Sequence, residues 1–440
     1  ALRTLAAGLA KTFAPSDLHL YGIDCGNGAL QALTALPHCG AVVGGDEPER
    51  LGRLMSLLQS IVARGDPTRT VVLVDRLESF TSQYVERDGG RLVDALDRLL
   101  REGRAAGMTF VLAGDRTAFT SRLASAVESR LVLRQADRAD YVILGLDARA
   151  VPRQMPSGRA IWAETGTEVQ VAVLSGDASD GAQAEQLSRI ARRWSTPPDA
   201  ERPRRVDPLP VWAEMPSLER SEPRGATVTL GVGGDELSPV DVDLAEVGPG
   251  FLVSGPARSG RSTALACVIE SLPDGRAVVV CPRRSPLREL CGRPSVSAVL
   301  SGTGPELGEA VAAAVSAVGA GAVVVIDDAE LIGDGPAARV LEGLVRDARD
   351  SGVLIVAAAT TDDVLLSRYR GWLADLRRSR AGLLLTPTSA ADGEVFDLRL
   401  PRDLDRSWPP GRALLAVRGE TMPLQVAVPG VMLAEASVAP

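Results

Sequence analysis

Aromatic residues are scarce in this chain. Phe, Trp and Tyr make up 3% of its 440 residues, whereas hydrophobic residues as a whole make up 45%. The cores must therefore be built from Val, Leu, Ala and Ile, which is typical of buried parallel sheets covered by helices. A charged fraction of 24% excludes a fibrous or disordered composition. The length is sufficient for two cores of ordinary size, and we predict an α/β protein with two domains.

Paired cysteines and clustered histidines are also missing. The cysteines are odd in number, contain no Cys-x-x-Cys pair and lie mostly in or near apolar runs: Cys25, Cys39, Cys267, Cys281 and Cys291. Only His19 and His38 could add imidazole ligands. We therefore expect reduced thiols, as in a cytosolic protein, and no zinc site.

No stretch approaches the roughly 18–20 apolar residues that cross a bilayer, and no signal peptide is evident. Any membrane attachment would come from sequence outside this chain. We expect a cytoplasmic location, at the inner face of the plasma membrane if segments that precede Ala1 anchor the protein. Ala1 is not Met, and it opens a helical apolar pattern formed by Leu2, Leu5, Ala6, Leu9, Ala10 and Phe13. A fragment of a longer protein is the simplest interpretation.

Acidic residues outnumber basic residues in this chain. The net charge is −8, the pI is about 5.2, and Lys11 is the only lysine. Because DNA affinity without base readout comes from clustered Lys and Arg, this balance disfavours nonspecific DNA binding.

The chain repeats itself at long period, which identifies its architectural unit. Four pairs of segments recur in the same order at offsets of 245 to 263 residues: 1–2 with 264–265, 71–75 with 323–327, 106–113 with 351–358, and 155–160 with 408–413. Short Val/Leu/Ala strands alternate with amphipathic segments in each copy, for example a strand over 71–74, a helix over 90–104 and a strand over 110–113. We predict two tandem RecA-like P-loop folds with mainly parallel sheets.

A proline-rich, charged segment separates the copies. Residues 195–225 contain seven prolines: Pro197, Pro198, Pro203, Pro208, Pro210, Pro216 and Pro223. Such a composition resists packing and spaces domains. We predict a first domain over 1–194, a linker over 195–225 and a second domain over 226–440.

The second copy carries a phosphate-binding pattern. A strand over 251–254 precedes a loop that enters a helix at Ser262, with two glycines separated by four residues, then a basic residue and a hydroxyl. The loop consists of Gly255, Pro256, Ala257, Arg258, Ser259, Gly260, Arg261, Ser262 and Thr263. Backbone amides and the helix N-terminus would hold the phosphates of ATP, and Ser262 would supply a hydroxyl to Mg²⁺. A purely structural glycine turn before a helix is the alternative interpretation.

Arg261 stands where such loops carry lysine. A guanidinium is planar and bulkier than an ammonium, so it cannot bridge the β- and γ-phosphates as the same compact charge. We expect nucleotide binding to survive and transition-state stabilisation to suffer.

The apolar strand over 322–326 ends in two carboxylates, Asp327 and Asp328. Asp327 would hold Mg²⁺ through water, and Asp328 occupies the position at which a Glu usually orients the attacking water. Asp is one methylene shorter, and near-attack geometry is sensitive to about an ångström. This pattern predicts slow hydrolysis; exposed acids at a strand end are the alternative.

The first copy has Asp75 at the position of Asp327, but Arg76 follows it where the second acid should be. A cation can neither activate nor position water. Glu78, which aligns with Glu330, could substitute, although surface charge is the simpler interpretation. A first phosphate loop would lie before Ala1, so we predict an incomplete site in this copy.

Arginines also recur between the copies. Arg130 and Arg380 precede matching strands, and Arg159 and Arg412 follow matching Pro-x-Gly turns. Ring-forming motors place such arginines near the phosphates of a neighbouring site. A salt-bridged surface role is the alternative for each of them.

Together these residues resemble the FtsK/SpoIIIE-type ATPases, most closely the C-terminal ATPase domains of an EccC/EssC-like type VII secretion motor. The resemblance includes Tyr21-Gly-Ile-Asp24-Cys-Gly-Asn-Gly, similar to an Asp-Phe-Gly-Gly-Gly run, the segments 36–40 and 230–239, Pro208-Leu-Pro210, and the Pro-x-Gly-Arg turns. It covers nearly the whole chain. Arg261, Asp328 and Arg76 depart from the family pattern, and these departures put hydrolysis in doubt rather than nucleotide binding.

The resemblance implies a motor with several ATPase domains, whose later domains bind ATP and Mg²⁺ without turning ATP over. It also implies a hexameric full-length assembly, contacts with other ATPase domains of the same protein and reception of a secreted protein's signal by the last domain. Our leading hypothesis is therefore a regulatory or substrate-receiving ATPase pair. A DNA translocase of the same superfamily and a non-catalytic scaffold that retains the fold are the alternatives.

Overall fold

The computed structural model describes residues 1–118, 122–194, 198, 201–218, 225–401, 404 and 408–432, except for the side chains of Asp88 and Arg349. The chain divides into two compact units, Ala1–Pro208 and Leu209–Pro440. The division falls within the predicted linker, of which 195–197, 199–200 and 219–224, including Pro197 and Pro223, lie outside the described residues.

The first unit contains six α-helices and seven strands among its described residues. The helices are α1 (Leu2–Thr12), α2 (Pro48–Arg64), α3 (Leu77–Tyr84), α4 (Arg91–Glu102), α5 (Arg138–Ile143) and α6 (Asp180–Ala191). The strands are β1 (Leu18–Asp24), β2 (Cys39–Gly44), β3 (Arg69–Asp75), β4 (Met108–Leu112), β5 (Leu131–Leu133), β6 (Arg159–Trp162) and β7 (Glu168–Gln170).

Two separate sheets form in this unit. A parallel sheet has the order β2-β1-β3-β4, and an antiparallel sheet has the order β5-β6-β7. Strand β3 is buried along its apolar residues because helices cover both faces, as its continuous Val/Leu run predicts. Within the described part of the unit, no strand joins the outer edge of β4 to β5.

The second unit is built from the same kinds of element. Its helices are α7 (Leu244–Val247), α8 (Arg261–Ser271), α9 (Glu306–Val318), α10 (Pro336–Ser351), α11 (Thr361–Leu366) and α12 (Trp372–Arg377). Its strands are β8 (Thr227–Gly233), β9 (Ser238–Asp243), β10 (Gly250–Ser254), β11 (Ala277–Cys281), β12 (Val296–Ser301), β13 (Val323–Ile326), β14 (Leu354–Ala359), β15 (Ala381–Leu385), β16 (Arg412–Val417) and β17 (Glu420–Val426).

These strands form one sheet with the order β12-β11-β13-β14-β10-β15-β16-β17-β8-β9. The strands from β12 to β15 pair in parallel, and the remaining pairs are antiparallel. Successive residues of β10 enter opposite cores, with Phe251 and Val253 on the face covered by α8 and Leu252 on the face covered by α9 and α10. The carboxyl ends of β10, β11, β13 and β14 consequently meet at one edge of the sheet, which is where open α/β sheets bind ligands.

Local geometry repeats between the two units. Arg76 and Asp328 each adopt the left-handed conformation, with φ of 55° and 48°. Each directly follows an aspartate at the end of a strand. Gly158 and Gly411 turn at φ of 79° and 82° before the matching arginines. The predicted α/β class with mainly parallel sheets is confirmed. None of the described helices is long and apolar enough to cross a membrane.

Candidate nucleotide site

The loop 255–260 connects β10 to α8 at the carboxyl edge of the sheet. Gly260 caps α8 at φ +103°, a conformation that residues with a Cβ rarely adopt. A Cβ on Gly255 would lie 2.6 Å from Ser259 Oγ and 2.9 Å from the carbonyl oxygen of Leu385. The two glycines therefore let the backbone turn within a space that side chains would fill.

Ser262 and Asp327 meet below this loop. Ser262 Oγ donates to Asp327 Oδ2 at 2.9 Å, and the backbone N–H of Asp327 bonds to the carbonyl of Val280 at 3.0 Å. Asp327 is only 2% exposed. This is the pairing of hydroxyl and carboxylate that the strand-loop-helix pattern requires, since both side chains offer the oxygen ligands that Mg²⁺ prefers.

Asp327 has a second hydroxyl partner that the sequence did not reveal. Ser285 Oγ donates to Asp327 Oδ2 at 2.6 Å and also accepts the N–H of Leu287 at 3.2 Å. Ser285 lies just after β11, the strand next to β13 in the sheet. A predicted strand order would have directed attention to it, because neighbouring parallel strands end at the same edge.

The guanidinium of Arg261 is engaged by protein groups. Its guanidinium donates to the carbonyl of Gly255 at 2.8 Å and to Asp328 Oδ1 at 3.1 Å, and the residue is 9% exposed. Asp328 also accepts two hydrogen bonds from Arg283, and these bonds raise the pKa of Arg283. The predicted second acid is thus paired with two guanidiniums, one of which no sequence motif identified.

Two further side chains near the loop, Ser259 and Glu330, each have a buried oxygen atom. Ser259 Oγ and Glu330 Oε2 are buried atoms without a hydrogen-bond partner, and burial raises the pKa of Glu330. Buried hydroxyls in proteins are normally satisfied, so Ser259 is suited to a ligand held by this loop. Within the described part of the chain, no group of three or more His, Cys, Asp or Glu residues could hold a metal by itself. A Mg²⁺ ion here would therefore depend on Ser262, Asp327 and oxygens of the nucleotide.

The corresponding edge of the first unit is acidic. Asp24 and Asp75 end paired strands, and burial together with Asp24 raises the pKa of Asp75. Asp24 is already engaged by the backbone N–H groups of Gly26 and Leu30 at 3.0 and 2.8 Å. Glu78 accepts the N–H of Asp115 at 3.2 Å. Among the described residues of this unit, no phosphate loop accompanies Asp75.

The four recurring arginines have intramolecular partners. Arg159 contacts Glu168 and Gln170, and Arg380 contacts Asp397. The backbone N–H of Arg130 bonds to Glu164 Oε1 at 2.9 Å. Arg412 is 8% exposed and donates to Gln425 and to the carbonyls of Leu209 and Pro210. A role at a neighbouring phosphate would require the side-chain bonds of Arg159, Arg380 and Arg412 to break.

Comparison with known proteins identifies relatives of this architecture. Residues 1–67 match the FtsK/SpoIIIE family. The chain is 27% identical to the ESX-4 secretion system protein EccC4 of Mycobacterium tuberculosis, over 97% of this chain and 37% of that protein. The chain therefore spans little more than a third of this relative's length.

Solved structures share the fold. Thermomonospora curvata EccC, comprising ATPases 2 and 3 in complex with a signal sequence peptide, superposes with a TM-score of 0.71 at 22% identity, covering 97% of this chain and 85% of that one. EssC from Geobacillus thermodenitrificans, also ATPases 2 and 3, gives a TM-score of 0.67 at 16% identity, covering 97% and 88%. The predicted resemblance to FtsK/SpoIIIE-type ATPases of the EccC/EssC kind is confirmed, as is the tandem P-loop fold.

Proposed function

We propose that this chain is a pair of ATPase domains of an EccC/EssC-like type VII secretion motor, and that its second domain binds ATP with Mg²⁺ while hydrolysing it weakly or not at all. The observation that carries the proposal is the 2.9 Å contact between Ser262 Oγ and Asp327 Oδ2 beneath the loop 255–263. When bound, Mg²⁺ would neutralise phosphate charge. Ser262 and Asp327 would orient the ion, and the backbone N–H groups of the loop would bind the phosphates.

The contacts of Arg261 and Asp328 support slow turnover. Arg261 bonds to Gly255 and Asp328 instead of extending as a free cation. Asp328 accepts hydrogen bonds from two arginines, and these bonds compete with any water that its oxygens would orient. Misplacement of a catalytic group by about an ångström already costs much of its effect.

We extend the proposal to the first domain, over 1–194, as an ATPase domain that lacks its phosphate loop in this chain. Strand β10 of the second unit pairs with both β14 and β15, whereas β4 and β5 of the first unit share no such strand among the described residues. A strand between them would complete the first sheet. We assign the Pro-rich linker to 195–225 and the second domain to 226–440, with Asp75 as the first domain's metal-site carboxylate.

Contacts of the linker support peptide binding by the first domain. Carbonyls of Glu201, Arg204, Val206 and Asp207 accept hydrogen bonds from His19, Tyr21, Arg50 and Arg53 respectively. Val206 is 3% exposed within the core. Because the bonds go to backbone oxygens, they would hold any extended chain with an apolar side chain at the position of Val206.

We propose that a surface of the second domain formed by β12 and α9 receives part of a secreted protein. In the sheet order, these elements match β2 and α2 of the first domain. Edge strand β12 has partly exposed apolar residues, and α9 presents the exposed residues Ala312, Ala313 and Ala317. Helix α9 contains no Arg or Lys, unlike α2 with Arg50 and Arg53, so the two surfaces would select different peptides. The relative from Thermomonospora curvata is described with a signal sequence peptide.

The wider setting is also part of the proposal. We place the domains in the cytoplasm at the inner face of the plasma membrane, in a hexameric full-length motor. There, other ATPase domains of the same protein would be the partners, and Arg130, Arg159, Arg380 and Arg412 the candidate trans-acting residues.

The proposal is tested by comparing ATP binding with phosphate release in the same preparation. We expect saturable binding of ATP with Mg²⁺ and turnover below about 0.01 per second, a hundredfold under the lower end of the usual enzyme range. Undetectable binding would favour a non-catalytic scaffold, and turnover of about 10 per second would contradict impaired hydrolysis.

Anisotropy titration with a labelled Thermomonospora curvata signal sequence peptide tests whether the second domain binds a secreted protein's signal. The variants Ala313→Glu and Ala317→Glu are expected to weaken this binding.

A further inference from the structure

Asp328 is held by two arginines from different parts of the second unit. Arg261 Nη2 donates to Asp328 Oδ1 at 3.1 Å, and Arg283 donates through Nε to Oδ2 at 2.5 Å and through Nη2 to Oδ1 at 2.8 Å. We call Arg261, Arg283 and Asp328 the Asp328 latch. Three N–H donors thus occupy three of the carboxylate's roughly four acceptor positions.

The latch joins three elements of the site. Arg261 begins α8 within the phosphate loop 255–263, Arg283 follows β11, and Asp328 follows β13. Asp328 itself adopts φ 48°, and its backbone N–H bonds to Asp327 Oδ1 at 3.2 Å. The contacts of this carboxylate are therefore specified by its backbone as well as by its partners.

The two arginines differ in what could draw them away. Arg261 belongs to the phosphate loop, so bound phosphates would compete with Asp328 for its guanidinium. Arg283 is anchored outside the loop, and its side chain is 60% exposed. Its planar guanidinium forms a fork of two parallel hydrogen bonds to the carboxylate, whereas Arg261 forms one, so the pair with Arg283 is the stronger. When a nucleotide attracts Arg261, Arg283 alone would keep Asp328 occupied.

We infer that Arg283 is a positioning residue that restrains hydrolysis at this site by holding Asp328 away from the water-orienting role. The inference rests on the proposed nucleotide site and deepens it: low turnover comes from a removable ion pair in addition to the shorter acid. Removing the fork would leave the Asp328 carboxylate free once Arg261 turns toward phosphate. Asp328 would then orient water toward the γ-phosphorus, at less than ideal reach.

The test uses single-turnover phosphate release and nucleotide binding of the full chain. We expect Arg283→Ala to release phosphate at least tenfold faster than the wild type, and Arg283→Lys, which retains a charge without the fork, to lie between them. Adding Asp328→Asn to Arg283→Ala should abolish the gain. The neighbouring exposed residue Arg284 provides a matched control, and Arg284→Ala should leave the rate unchanged.

A second readout needs no nucleotide. Urea unfolding of the wild type, Arg283→Ala, Asp328→Asn and the double variant forms a double-mutant cycle. We expect the midpoint shift of the double variant to be smaller than the sum of the two single shifts. Additive shifts, an unchanged phosphate-release rate in Arg283→Ala that still binds ATP, or a gain that survives Asp328→Asn would each overturn the inference. Failure of the wild type to bind ATP would refute the proposed nucleotide site instead, and the unfolding cycle would still report on the latch.

Discussion

Arg412 donates its Nε–H to Oε1 of Gln425 at 3.1 Å. The first unit repeats this bond between Arg159 and Gln170, also at 3.1 Å, although Arg159 has a more exposed side chain. Each glutamine in turn donates to a carbonyl of the turn that precedes its arginine. The Pro-x-Gly-Arg turn is therefore a structural unit in which an arginine and a glutamine tie two neighbouring strands together.

This relationship predicts that Arg412→Ala destabilises the second unit by about 2–3 kcal/mol, because buried acceptors lose a charged donor. Arg159→Ala should cost less than about 1 kcal/mol, since its partners can turn to water. Urea unfolding of the full chain measures both changes. A stable Arg412→Ala variant with reduced phosphate release would instead favour a trans-acting arginine.

Ser285 is expected to support metal binding through Asp327. Replacing Ser285 by Ala removes a 2.6 Å hydrogen bond to Asp327 Oδ2 and leaves Ser262 as the side-chain donor to that oxygen. The loss of this hydrogen bond, which contributes about 1 kcal/mol and orients Asp327, should weaken ATP binding in the presence of Mg²⁺ several-fold, as measured by calorimetry. Ser297→Ala, on the exposed side of β12, is the control, and equal weakening in both variants would refute the assignment.

His38 predicts a pH dependence in the first unit. Its ring lies against Trp194, its Nε2 bonds to the carbonyl of Phe13 at 2.9 Å, and its buried Nδ1 has no hydrogen-bond partner. Burial lowers the pKa of His38 from its ordinary 6.5. The unfolded chain therefore binds more protons than the folded chain as the pH falls below 6.5, and stability must decrease in that direction.

The His38→Gln variant isolates this effect from other titrating groups. We expect its urea midpoint to fall less steeply than that of the wild type between pH 7.5 and 5.5, while a glutamine N–H can still reach the Phe13 carbonyl. Parallel pH profiles for the two proteins would show that His38 titrates alike in the folded and unfolded chains.

Much of the second unit follows from local sequence patterns. The strand ending at Ser254, the glycine loop and the helix beginning at Arg261 form a contiguous segment, and the apolar run before Asp327 identifies the end of another strand of the same sheet. Parallel strands place both segments at the same edge, so the approach of Ser262 to Asp327 was predictable. The boundaries of elements were less predictable. The helix expected over 90–104 is Arg91–Glu102, because Gly90 caps it at φ +79° and a 3-10 turn begins at Gly103.

Side-chain pairing in the site could not be predicted in the same way. Arg261 returns to the carbonyl of its own loop at Gly255, and Arg283 reaches Asp328 across 45 positions of sequence. Neither contact produces a periodic pattern in the sequence, because each depends on the rotamer of a long side chain at the edge of the folded sheet. The sequence located the acid at position 328 without revealing what would occupy its oxygens.

The nucleotide site is tested most directly by isothermal titration of ATP with Mg²⁺ into the wild-type chain, Asp327→Ala and the exposed control Asp334→Ala. We predict one saturable site in the wild type and in Asp334→Ala, with affinity at least about tenfold weaker in Asp327→Ala, equivalent to about 1.4 kcal/mol. Equal affinities in all three proteins would contradict the assignment of Asp327 and of the loop 255–263.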